Sequence, residues 1–150
     1  MKKLVVDSNI AFSGILNTDS KIGQILLKAP GEAAFFSCDF LKSEIREHRP
    51  KLLKITKLPP GNLDELESLV LQKVQFISET LLDVDVLDKA EDVLADIDPD
   101  DAPFLALAWQ LEAKLWSGDK KLRDGLLKKG YTDVLNTQEV HAWLTEEDAG

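Results

Sequence analysis

Leu4-Val5-Val6-Asp7 is a short apolar run closed by an acid, and the chain repeats that pairing of an apolar run with an acid three more times. Glu44 comes after Ala34-Phe35-Phe36, Asp101 stands just before Phe104-Leu105-Ala106-Leu107-Ala108, and Asp119 follows Lys114-Leu115-Trp116. If these runs are parallel strands and the helices that follow them, all four carboxylates converge at one end of one sheet, where open α/β folds place their chemistry. Such a cluster, without a neighbouring His, Cys or glycine-rich loop, suits a hard cation. The reaction it predicts is metal-assisted hydrolysis of a phosphate ester.

Working outward, apolar runs of strand length recur at 3–6, 34–37, 74–77, 114–117 and 133–135, with helical periodicity between them. Residues 40–55 put Leu41, Ile45, His48 and Leu52 on one stripe, 62–73 put Leu63, Leu66, Leu69, Val70 and Lys73 on another, and 104–115 put Phe104, Leu107, Ala108, Leu111 and Leu115 on a third. Amphipathic helices alternating with short strands cover both faces of a mostly parallel sheet. The pattern predicts an α/β fold, a three-layer α/β/α sandwich with about five strands. Pro59-Pro60-Gly61 predicts a loop before the fourth helix. A chain of 150 residues is expected to form one domain over 1–150, with its motifs between about 4 and 136 and a C-terminal helix at about 137–144.

The net charge of -9 argues at first against a nucleic-acid partner, but its distribution reverses that. Between Glu79 and Asp101 ten acids stand against Lys89 alone, so this stretch carries the whole imbalance and the remainder is neutral. Two segments of the remainder are locally basic, Lys42 to Lys57 and Lys120 to Lys129, and both begin beside candidate site acids, as a phosphate-gripping rim requires. A solvated helix face explains charge runs equally simply. Cys38 is the only cysteine, which excludes an internal disulfide and reads as a small buried hydrophobe. There is no signal-like apolar region after Met1-Lys2-Lys3 and no stretch of membrane-spanning length, so a soluble, cytoplasmic protein is expected.

Each acid also has a structural explanation. Asp7-Ser8-Asn9 suits a helix N-cap. Asp98-Pro99-Asp100-Asp101-Ala102-Pro103 is a helix start, with Asp98 and Asp100 expected as caps or solvated neighbours. Asp119 can cap the helix from Lys120 to Lys128 or pair with Arg123. Glu44 is more telling: its helical neighbours Phe40, Leu41, Glu47 and His48 include no Lys or Arg, whereas Glu47 has Lys51 four residues on. Four carboxylates at one sheet edge is not what independent capping tends to give.

Asp7-Ser8-Asn9, Glu44 within Leu41-Lys42-Ser43-Glu44-Ile45, the run from Asp98 to Ala108, and Ser117-Gly118-Asp119-Lys120-Lys121-Leu122 together resemble a PIN domain, from Val5 to about Asn136. The resemblance implies a metal-dependent nuclease similar to the VapC-type ribonuclease toxins. Asp7, Glu44, Asp101 and Asp119 would be the acidic quartet binding Mg²⁺ or Mn²⁺, with Asn9 and Ser117 as polar neighbours. Lys121 stands where the family often has a further acid, leaving one coordinating group fewer for a second metal. The resemblance also implies single-stranded RNA as substrate, and an antitoxin protein and a homodimer as candidate partners; Arg46, Arg49, Lys120 and Lys121, from the two basic runs, are the RNA-contact candidates. Trp143 and the apolar face of 138–144 suit such a dimer, and an ordinary core helix explains them equally well. No ladder of Arg and aromatic residues of the kind that reads bases is visible in the sequence.

Three other readings compete. A phosphotransferase of the haloacid dehalogenase type wants a second Asp two residues after the first, where this chain has Asn9. A receiver domain wants its Asp at the end of the third strand, where Gln75-Phe76-Ile77 is followed by Ser78-Glu79. The stronger rival is a non-catalytic PIN-like binding module whose acids only cap helices.

Overall fold

The computed structural model describes residues 1–56 and 58–146. Lys57, the last base of the first basic run, lies outside the described residues, as do positions 147–150 of the expected domain. Strand β1 (Lys2–Val6) is the centre of a wholly parallel sheet in the order β3-β2-β1-β4-β5, completed by β2 (Ala33–Cys38), β3 (Val74–Ile77), β4 (Lys114–Trp116) and β5 (Val134–Leu135). Leu4, Val5 and Val6 are fully buried because helices cover the sheet on both sides, which is why the run reads as continuously apolar.

Eight α-helices lie among the described residues: α1 (Ser8–Leu16), α2 (Lys21–Leu27), α3 (Asp39–Thr56), α4 (Pro60–Leu71), α5 (Val84–Leu94), α6 (Ala102–Leu111), α7 (Lys120–Lys128) and α8 (Thr137–Thr145). The chain steps from β1 to β2 to β3 in one direction and then crosses back to β4. Right-handed crossovers therefore put α1 to α4 on one face and α5 and α6 on the other. The packing agrees, since α1 meets α2, α3 and α4, while α6 lies against α5, β1, β2 and β4. The result is the three-layer α/β/α arrangement expected from the sequence. Register sets the working edge: Val5 faces Phe36 and Leu115 across the ladders, and Val6 faces Trp116. Asp7 and Ser117 thus leave the sheet side by side.

Several local expectations fail. On α3, Leu41, Ile45 and Leu52 are buried, but His48, placed on their stripe, is exposed. Pro59-Pro60-Gly61 is not wholly a loop, because α4 begins at Pro60, and a proline in the first turn forfeits no helical hydrogen bond. The helix expected to carry its stripe over 104–115 stops at Leu111: Glu112 takes a left-handed conformation (φ 54°) and ends α6, so Leu115 belongs to β4. On α4, Leu69 is exposed rather than on the buried stripe, and Lys73 lies beyond the helix. In α8, Val140 and Leu144 are buried within the chain and Trp143 lies between the ammonium groups of Lys2 and Lys114. Val140 and Leu144 thus serve the core of the chain, while Trp143 stays half-buried at its surface. No helix among the described residues is long and apolar enough to cross a membrane.

Candidate active site

Asp7 and Asp119 straddle the point where strand order reverses, between β1 and β4, at the carboxyl edge of the sheet. Asp7 is 2 % exposed and caps α1, its Oδ1 accepting from the Ile10 N–H at 3.0 Å. Asp119 caps α7, accepting from the N–H groups of Lys121 (2.9 Å) and Leu122 (3.3 Å). Of the two structural explanations the cap is the one observed: Arg123 donates to the Ser117 carbonyl at 2.8 Å, and no Asp119–Arg123 ion pair exists among the described residues. Both acids therefore satisfy their structural explanation, and still converge.

The third and fourth acids arrive from the turn before α6. Residues Pro99–Asp101 form a short 3-10 turn, whose cap Asp98 accepts from the Asp100 N–H at 3.3 Å. Asp101 occupies the N-cap position of α6 yet makes no cap hydrogen bond. Oxygens of Asp98, Asp101 and Asp119 lie within 4.8 Å of one another, all three residues half-buried.

Magnitudes show why this grouping is unusual. Helix N-termini favour carboxylates by about 0.3–1 kcal/mol each. Like charges at this separation repel by roughly 3–4 kcal/mol per pair at an effective dielectric near 20, less where water reaches them. The repulsion wins, and the protons respond. Burial, followed by the charges of Asp7, Asp98 and Asp119, pushes Asp101 up to about 8, with a hydrogen bond to Asp98 adding to the shift. Burial likewise holds Asp7 at about 6, against hydrogen bonds from the Ser117 hydroxyl and Ile10 N–H and with the charges of Asp119 and Glu44 reinforcing it. The donor set fits a hard divalent cation: every group is a carboxylate oxygen, and binding would offset the mutual repulsion of the converging acids.

Glu44 joins the group from α3. Its Oε1 accepts from the buried Ser8 hydroxyl at 2.7 Å, and it is close enough for its charge to act on Asp7. Asn9 is exposed in the first turn of α1, and Ser117 is buried, its Oγ accepting from the Asp119 N–H at 3.1 Å. Arg46, Lys120 and Lys121 are exposed. Arg49 is not an open cation: it pairs with Asp64 and with Glu67 (3.2 Å), tying α3 to α4. The Glu47–Lys51 pair expected on α3 is not formed among the described residues.

Sequence reading misses two members. Asp98 is expected as a cap or a solvated neighbour, yet it caps and joins the triad; its place three residues before Asp101, one turn away, is the available signal. Ser8 reads as part of a cap motif, and nothing local marks it as the partner of a residue on another helix. No curated protein matches this chain. The model of the family described as PIN domain matches residues 5–145, nearly the whole length over which these strands, turns and acids are arranged, and the chain belongs to the PIN domain family.

Proposed function

We propose that this protein is a divalent-metal-dependent endoribonuclease that hydrolyses phosphodiester bonds in single-stranded RNA. PIN domains are generally nucleases, and the observation that carries the finer reading is the Asp98, Asp101 and Asp119 triad beside buried Asp7. Asp98, Asp101 and Asp119 would hold Mg²⁺ or Mn²⁺, with Asp7 adjoining. When bound, such an ion makes water more acidic and offsets charge on the phosphoryl oxygens. Asp7 is fixed by the Ile10 N–H, so its carboxylate keeps one orientation as substrate enters. Glu44, steadied by the Ser8 hydroxyl, is the group to accept the proton of the attacking water, since His48 lies a helical turn further along α3 and His141 lies on α8. Lys120 and Lys121, exposed directly after Asp119, would attract the phosphate backbone. The reading extends to the toxin of a toxin–antitoxin pair, tested by whether an adjacent small DNA-binding protein binds this chain and suppresses cleavage.

One observation favours a non-catalytic module: Asp7, Asp98 and Asp119 all cap. Asp101 opposes it, because it sits at a cap position without capping. Titrating Mn²⁺ by calorimetry and incubating a labelled single-stranded RNA with Mn²⁺ or EDTA separates the two. We expect stoichiometric Mn²⁺ binding and EDTA-sensitive cleavage; a protein that neither binds Mn²⁺ nor cleaves RNA is a module.

A further inference from the structure

Helices α1 and α3 leave the same edge of the sheet from neighbouring strands and run alongside one another. Ser8 and Glu44 form their first rung, joined at 2.7 Å. Four residues on along each helix, about 6 Å further at 1.5 Å rise per residue, Phe12 and His48 form the second, with ring centroids 5.4 Å apart and planes tilted by 51°. The His48 ring is exposed but not loose. Its Nδ1–H donates to the Glu44 carbonyl at 2.8 Å, and the half-buried Phe12 backs it. A carbonyl can only accept, so this bond fixes the proton on Nδ1 and leaves Nε2 as the ring's outer polar atom. An exposed ring held by two contacts has already lost much of the freedom that stacking on it would otherwise cost.

We propose that Phe12 and His48 form a nucleobase-stacking subsite, on which an unpaired base one step from the scissile phosphate rests. This rests on the ribonuclease reading. Single-stranded RNA is held chiefly by stacking of splayed bases on aromatic and His side chains, alongside cationic contacts to the backbone. Lys51, exposed one turn beyond His48 on α3, supplies such a cation near the strand's path. The sequence hides this pairing because 36 positions separate the two rings; only the parallel course of α1 and α3 brings them together.

The test measures binding of a fluorescent single-stranded RNA with Ca²⁺ in place of Mg²⁺, for the unaltered protein, His48→Ala and His48→Phe, using oligonucleotides made abasic at one position at a time. We expect His48→Ala to weaken binding about fivefold or more, His48→Phe to retain it, and Mn²⁺ affinity to stay unchanged in both. One abasic position should weaken binding to the unaltered protein while costing His48→Ala nothing further, a coupling that a merely structural role would not produce. Equal binding by unaltered protein and His48→Ala overturns the subsite and leaves the ribonuclease reading standing. Failure of the unaltered protein to bind any oligonucleotide overturns both.

Discussion

The outer face of α5 and the carboxyl edge of the sheet are both acidic, but they do different things with their charge. Asp83, which caps α5, and Asp85, Asp88, Glu91 and Asp92 along it are all exposed, and water and salt screen each from the next. At the sheet edge Asp98, Asp101 and Asp119 are fewer, half-buried and within 4.8 Å, with Asp7 buried beside them. Acid number makes a protein's net charge; acid convergence makes a site. The two regions meet in one sequence stretch, since Asp98 and Asp101 end the same acidic run that supplies α5. Composition alone cannot divide them, whereas burial does.

The largest contrast should appear in catalysis. Asp101→Asn is expected to reduce Mn²⁺-dependent cleavage of single-stranded RNA by more than about 100-fold, beyond the loss typical of residues that only support a metal ligand. Asp88→Asn with Asp92→Asn, the same chemical change made twice on α5, should leave the rate within about twofold. Single-turnover rates at saturating Mn²⁺ check this, and comparable losses in both variants would erase the distinction between the regions.

Stability without metal should show the next effect. Asp7 and Asp101 are both raised above the ordinary Asp value of 3.8, to about 6 and about 8. A raised acid binds its proton more tightly in the folded state. Its stabilising contribution is complete below about pH 4 and is lost as pH rises toward the folded value. In EDTA, thermal stability should therefore decline from about pH 4 to 8, with Asp7 contributing at most about 1.4 kcal/mol per pH unit between about 4 and 6. Asp7→Asn keeps a good capping residue and should flatten the lower part of this decline. Mn²⁺ should oppose the decline by binding the ionised form. A melting temperature that rises over this window in EDTA would contradict the site's electrostatics.

The fold was legible because its central strands are largely buried: Leu4-Val5-Val6, Phe35-Phe36 and Leu115-Trp116 announce themselves without knowledge of their neighbours. Asp7 and Asp119 were legible for a related reason, since Asp7 directly follows β1 and Asp119 comes three residues after the end of β4, so their place at the edge comes with those strands. Asp98 was harder, because a residue that both caps and converges looks locally like a cap. Phe12 and His48 were out of reach, as a contact between two helices depends on their relative course and not on either helix's pattern. Glu112 shows the remaining gap: a left-handed non-glycine residue ended α6 where periodicity continued the stripe to Leu115.

The smallest expected difference concerns the approach of RNA. Reversing Arg46, Lys120 and Lys121 to Glu should weaken oligonucleotide binding with Ca²⁺ and lower the slope of log affinity against log salt, by about 0.7 for each phosphate that is no longer neutralised. Arg49 is left out because its pairing with Asp64 and Glu67 would add a loss of packing between α3 and α4. Reversing Asp85, Asp88 and Asp92 to Lys makes the whole molecule less negative, but at a face remote in character from the site, and should leave the slope unchanged while raising affinity slightly through net charge. Titrations at four salt concentrations distinguish a local rim from a global field. If the α5 variant changes the slope and the basic variant does not, RNA approaches across α5, and the acidic face would then be the surface that governs access.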